Sequence, residues 1–156
     1  MNVYLEKVTI DKKETLYRLL QYSLYEESEN DLNEMNDNAI FEYKYFDRYF
    51  TDIDRDAYFI REQESNKLMG FAMVNTYMQI FDNGHSIAEY MVIPKYRRNK
   101  IGKKVAIELF DKYKGNWEVK PSFNSKKAYS FWKNVIEDYT NNNCGFKDGI
   151  FIFNNI

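Results

Sequence analysis

Residues 86–113 read as a strand, a proline, a basic turn and a helix: SIAEYMVI, Pro94, KYRRNKIGKK, then VAIELFDKY. Pro94 has no amide to donate and stops the strand's ladder. Past the turn, Ile101, Val105 and Leu109 recur on one helical face, with Ala106, Phe110 and Tyr113 beside them. The unpaired amides of a helix's first turn carry partial positive charge and face outward. Residues 95–104 add six bases and no acid, and Gly102 permits a close backbone approach. Such a turn can cradle a ligand with several phosphates. Read plainly, the same run is a solvated basic turn whose glycine only relieves packing. A P-loop and a GxGxxG fingerprint are both missing, so a bound polyphosphate is of another kind.

The flanking sequence supplies a sheet around this unit. VYLEKVTI (3–10) is a first strand, and Asp11 stands at the N-cap of a helix carrying Leu16, Leu19, Leu20 and Leu24. Residues 26–38 read as an acidic loop and 39–50 as a second short helix with an aromatic face. AYFIREQ (57–63) and LMGFAMVNTYM (68–78) flank the polar turn 64–67 as a hairpin. Gly115 caps the helix from Ile101, and NWEVK (116–120) is a strand. A helix follows from about 124 to 136, and GIFIF (149–153) closes the chain as a strand. The fold class is α/β (mixed α+β), with one domain over 1–156, because no Pro- or Gly-rich linker or repeat divides it.

Composition removes several chemistries. With one cysteine, Cys144, and one histidine, His85, neither an internal disulfide, a Cys-rich zinc site nor a multi-histidine metal centre can form. His85 reads as an exposed loop residue after Asn83-Gly84, and Cys144 as a semi-buried thiol. No run reaches the ~18 apolar residues of a membrane span, and the first ten residues lack a signal peptide's pattern. A cytoplasmic protein without a membrane partner is expected. Net charge is −2, so the whole surface does not attract nucleic acid. The charge is segregated: ten acids against Lys44 and Arg48 lie in 26–54.

The run EYMVIPKYRRNKIGKK resembles the acetyl-CoA signature of the GNAT N-acetyltransferases, Arg/Gln-x-x-Gly-x-Gly/Ala, at Arg97, Arg98, Asn99, Lys100, Ile101 and Gly102. Downstream, Asn124, Ala128, Phe131 and Trp132 match the family's Asn-x-x-x-Ala-x-x-Phe/Leu-aromatic pattern. Together the two segments cover roughly 85–136, and the similarity is to the bacterial small-substrate type. The resemblance implies a mostly antiparallel sheet with two splayed parallel strands, 86–93 and 116–120. It further implies that backbone groups of Met91, Val92 and Ile93 pair with the pantetheine arm and acetyl carbonyl of acetyl-CoA. Amides from Arg98 to Lys103 would hold the pyrophosphate, and Asn124 would bond the cofactor at the cleft mouth. Lys100 replaces the first glycine of the signature; its Cβ is expected to keep its backbone right-handed.

Transfer to an amine requires a neutral nitrogen, so a carboxylate must take the ammonium proton. Glu89, in an apolar strand, is the candidate base, with a carboxyl raised by burial; an ion-paired structural glutamate is the plain alternative. Trp132 stands where many relatives have a tyrosine acid, and indole cannot serve as one. Tyr129, one turn earlier, is a candidate substitute, with core packing as its other role. The acidic segment 26–54 would favour a cationic small-molecule or peptide amine; a solvated acidic loop is the alternative. Two further readings stand beside acetyl transfer: a non-catalytic acyl-CoA sensor of the same fold, and a nucleic-acid contact through KYRRNKIGKK. The GIFIF strand could pair across a homodimer.

Overall fold

The structure is a computed structural model describing residues 2–156. Its strands are β1 (Val3–Lys7), β2 (Arg55–Glu62), β3 (Leu68–Asn75), β4 (His85–Val92), β5 (Asn116–Val119), β6 (Gly145–Lys147) and β7 (Ile150–Asn154). Its helices are α1 (Lys13–Glu27), α2 (Ile101–Lys112) and α3 (Lys126–Thr140). All seven strands form one sheet in the order β1-β2-β3-β4-β5-β7-β6. Neighbours run antiparallel, except that β4 and β5 are parallel. The mixed α/β architecture is the one expected. Among the described residues, no helix is long and apolar enough to cross a membrane.

Strand periodicity divides the apolar residues between two cores. Tyr58, Ile60, Ala72, Val74, Ile87 and Val92 pack beneath α2 and α3, whose Val105, Leu109, Trp132 and Ile136 meet them. Ala57, Phe59, Phe71, Met73 and Met91 face the other way, toward α1 and Phe41, Phe46 and Tyr49. With both faces covered, the central strands become nearly unbroken apolar runs.

Two irregularities in β4 shape the centre of the sheet. Glu89 pairs with Met73 while Ile87 pairs with Val74, so Ala88 is an extra residue in the ladder. Such a bulge bends its strand and re-aims side chains. On its other edge, β4 pairs with β5 only at 85–87 against 117–119. Beyond Ile87 the two strands separate and leave a gap.

Several local expectations are corrected. The helix over 39–50 shrinks to a 3-10 turn at Phe46–Phe50. Upstream, the Asn36 side chain accepts from the amides of Asn38 and Ile40, and Gln21 exchanges two bonds with the Phe41 backbone. Those side-chain partners, one local and one from α1, satisfy the chain without a helical ladder. The first strand ends at Lys7, and α1 starts at Lys13 after a 3-10 turn, so Asp11 is not its N-cap. The helix expected over about 124–136 is α3 at Lys126–Thr140, capped by Ser125, whose Oγ accepts from the Ala128 amide at 3.1 Å.

The strand β6 has no counterpart in the sequence reading. It forms a hairpin with β7 through Asp148-Gly149, both at positive φ, as this dipeptide favours. Both edges of β7 are thereby taken, by β5 and β6, so GIFIF cannot pair across a dimer. His85 opens β4 as a half-buried residue, its ring 4.5 Å from that of Tyr113, and burial lowers its pKa. Cys144 is half-buried.

Glu118 on β5 is 3% exposed, and its carboxylate accepts from three successive amides: Gln79 at 2.8 Å, Ile80 at 3.0 Å and Phe81 at 2.8 Å. A concave run of amides suits an anion, here supplied by the chain itself. Glu118→Ala leaves those donors unpaired and is expected to lower stability by about 1–3 kcal/mol in urea titration. Amide exchange at residues 79–81 should accelerate, which exchange NMR will show.

Candidate active site

The segment between β4 and α2 makes one tight 3-10 turn at Pro94–Tyr96 and then a loop into the helix. Arg98 (φ 70°) and Lys100 (φ 60°, ψ 13°) are both left-handed. The expected right-handed Lys100 is therefore corrected: the turn into α2 requires the strained conformation although no glycine is present. The first amide of this region bonded back to the helix is that of Lys104, at 3.1 Å to the Lys100 carbonyl. No side chain among the described residues caps α2. The amides from Arg98 to Lys103 thus have no acceptor among the described residues, and alternating backbone hands gather such groups into an anion-binding hollow.

The side chains here divide by role. Arg97 Nε donates to the Val92 carbonyl at 2.7 Å, and its terminal nitrogens donate to both Glu26 oxygens at 2.8 and 3.2 Å. Arg97 therefore ties the loop to β4 and α1. Asn99 donates to the Tyr96 carbonyl, and Lys103 pairs with Asp138 on α3. Ile101 is buried in the core. Gly102 has a packing reason as well: a Cβ there would lie 3.0 Å from the Phe131 ring. Its carbonyl accepts from the Tyr90 hydroxyl, which fastens the helix start to β4.

This loop borders a cleft of about 1100 Å³ that reaches the start of α3 and the end of α1. Tyr90, Phe131 and Trp132 form an aromatic wall, with edge-to-face contacts of 5.1 Å (Tyr90–Trp132) and 4.9 Å (Phe131–Trp132). Asn124, left-handed at φ 56°, stands exposed on the lip.

The gap between β4 and β5 opens into the cleft. The Ile93 amide donates to the Met69 carbonyl of β3 at 2.8 Å. By strand alternation, the main-chain groups of Met91 and Ile93 point toward β3, whereas those of Tyr90 and Val92 point toward the gap.

At the inner end of the gap lies a cavity of about 120 Å³ lined by Glu27, Ala88, Glu89, Lys120, Ser122 and Trp132, among others. The bulge at Ala88 puts Glu89 on the α1 side of the sheet. Glu89 keeps some accessible surface, yet protein encloses most of its carboxyl. Burial pushes its pKa well above the ordinary carboxylate range, and Glu27 and Asp31 push the same way. Glu27 is also raised by burial, against which the Ser122 hydroxyl works by donating at 3.2 Å. Tyr43, from the irregular segment, is raised by burial and by the nearby Glu89.

Glu89, Met91, Val92, Arg97, Arg98, Lys100, Gly102, Lys103 and Asn124 gather around the two connected spaces. Tyr129 is not with them: it packs on Phe146 at 5.4 Å and Phe151 at 5.5 Å, outside the residues lining either space. Sequence reasoning misses Ser122, Tyr43 and the particular placement of Glu27. For Glu27 a signal exists, since Ser23 and Glu27 continue from Leu19 along α1 at four-residue spacing.

No curated protein matches the chain in sequence at a significant level. The fold has many solved relatives. An acetyltransferase from Thermus thermophilus superposes with a TM-score of 0.70 at 10% identity, covering 99% of this chain and 98% of that one. An aminoglycoside acetyltransferase from an uncultured soil metagenomic sample, solved with sisomicin, gives 0.58 at 16% identity, covering 85% and 86%. A ribosomal-protein-alanine N-acetyltransferase from Brucella melitensis biovar Abortus 2308 gives 0.52 at 16%, covering 72% of each chain. At these identities the likeness speaks for the fold alone. The model of the acetyltransferase (GNAT) family matches residues 21–134, and on that match the chain belongs to the GNAT acetyltransferase family.

Proposed function

We propose that the protein is an N-acetyltransferase, one domain over residues 1–156, that moves the acetyl group of acetyl-CoA to a primary amine within a ternary complex. The observation that carries this reading is the junction of two spaces: a hollow of unpaired amides at the start of α2, and a carboxylate chamber beyond the β4–β5 gap. The residues suit the coenzyme. An amide-lined loop fits a diphosphate, and a strand edge with free main-chain groups fits an extended, amide-bearing arm. When bound, acetyl-CoA supplies an activated acetyl thioester.

The chain's own residues do the rest. The amides of Arg98, Asn99, Lys100, Ile101, Gly102 and Lys103 hold the diphosphate, and Lys100 adds charge beside it. Val92, facing the gap, binds the arm through its amide N–H, its carbonyl being held by Arg97, whereas Met91 and Ile93 support that strand from the β3 side. Asn124 bonds the coenzyme at the lip. Glu89 takes the proton from the ammonium form of the acceptor and leaves a lone pair on nitrogen. Holding both reactants in adjoining spaces supplies the proximity that dominates such transfers. The acids around the inner chamber favour a cationic acceptor, a class to which the aminoglycoside-modifying structural neighbour adds support. Cytoplasmic action is part of the proposal.

A second reading, a non-catalytic acyl-CoA sensor, draws on one observation. Trp132 holds the place of the family's tyrosine acid, and Tyr129 packs elsewhere. Thermal-shift titration separates the two. Acetyl-CoA at about 100 times Kd is expected to add roughly 2.7 kcal/mol of stability, and thiol release should follow with at least one member of a primary-amine panel. Stabilisation without any release selects the sensor; absence of stabilisation overturns both.

Glu89→Gln is expected to lower kcat/KM by about 10²–10⁴-fold while leaving the acetyl-CoA thermal shift intact. Because Glu89 must be ionised to act and its pKa is raised, wild-type activity should fall on acidification at a pH above the ordinary carboxylate range. Full activity of Glu89→Gln across the pH profile removes Glu89 from the mechanism.

A further inference from the structure

Glu89 is a carboxylate with no hydrogen-bond or ion-pair partner among the described residues, although protein encloses most of it. It opens onto the 120 Å³ cavity, and so does a second carboxylate, Glu27, from the last turn of α1. Glu27 is not free to swing away, because Ser122 after β5 donates to its Oε1 at 3.2 Å. Two acids brought to one pocket from different elements repel each other, and folding gains nothing from them without a cation between.

The neighbours do not supply that cation. Glu26 is committed to Arg97. Asp31, beyond α1, adds negative charge, and Tyr43 and Tyr49 present neutral phenols with raised pKa values. Lys120, at the end of β5, borders the cavity but makes no ion pair with either carboxylate. The space has the dimensions of a small polar head, not of a large aromatic one.

We propose that Glu27, steered by the Ser122 hydroxyl, is the acceptor-binding carboxylate that holds the incoming amine as an ammonium ion beside Glu89. This rests on the acetyl-transfer reading and specifies its acceptor subsite. One N–H bond of the ammonium breaks, its electron pair stays on nitrogen, and its proton moves to Glu89. Glu27 remains ionised and keeps its countercharge in place. The like-charge repulsion that a substrate cation relieves then selects charged amines over neutral ones of the same shape. Coupling between the two carboxyls makes their titration a property of the pair.

Carboxyl ¹³C NMR titration of the intact protein tests this, with methylammonium chloride as the minimal ammonium probe and sodium chloride as the ionic-strength control. In the wild type, Glu27 and Glu89 should both titrate above the ordinary range, and methylammonium should lower both midpoints where sodium does not. In Glu27→Gln, the Glu89 midpoint should fall by about one pH unit, and the methylammonium effect should disappear. Ser122→Ala should weaken methylammonium binding with both carboxyls retained, which separates positioning of Glu27 from its charge. A Glu27 titrating normally, a Glu89 midpoint unmoved in Glu27→Gln, or equal effects of methylammonium and sodium would overturn the subsite. The acetyl-CoA thermal shift of the wild type reports separately on the coenzyme half. Its absence in the wild type refutes acetyl transfer whatever the carboxylates do.

Discussion

The separation of β5 from β4 after three residue pairs is the constraint on which the site depends. A sheet whose strands stayed paired would bury their main-chain groups against each other and leave no internal edge. Here the parallel pair ends at Ile87 and Val119, while β4 continues five residues to Val92. The exposed inner edge is tolerated because α2 and α3 close one side and α1 the other, so the opening faces a cleft and not bulk solvent. The bulge at Ala88 sits at the point of divergence and turns Glu89 toward α1.

Fastening α2 to that edge is a matter of few atoms. The Tyr90 hydroxyl bonds the Gly102 carbonyl, and the Phe131 ring occupies the space a Cβ would need. The helix start is thereby held near the strand that delivers it, and the left-handed turns at Arg98 and Lys100 bend the intervening chain into a hollow. Strain of this kind persists only where surrounding contacts over-determine it. Arg97, bonded to Val92 and Glu26, is one such contact.

Much of this is legible in the sequence because it lies in local patterns. The β4–Pro94–turn–α2 unit is contiguous, and its apolar spacing, basic turn and glycine all sit within about one supersecondary motif. The hairpin of β2 and β3 declares itself by two apolar runs around a polar turn. The segment 39–50 misleads because its aromatics suggest a helical face, whereas the nearby Asn36 side chain and Gln21 from α1 serve its backbone. The Asp148-Gly149 turn carries a usable hairpin signal, and without it GIFIF is left on an edge it does not occupy. Lys100 misleads for a different reason: local propensity disfavours its conformation, and the turn into α2 imposes it all the same. Glu27 and Ser122 lie 95 residues apart; no periodicity links such a pair, and only the closed fold brings it to one cavity.

Arg97 is the strongest fixed cation of the basic turn, and its guanidinium is already spoken for by a carbonyl and a carboxylate. What would greet a polyanion at this doorway is mostly peptide dipoles, whose directions are frozen by backbone torsions, with the Arg98 guanidinium and ammonium groups on supple stems around them. A long nucleic-acid chain calls for many rigid charges strung along an open face. A recess of dipoles instead suits one compact group seated at one depth. The turn thereby behaves as a mould more than as a magnet, which reconciles six clustered bases with a chain whose overall charge is −2.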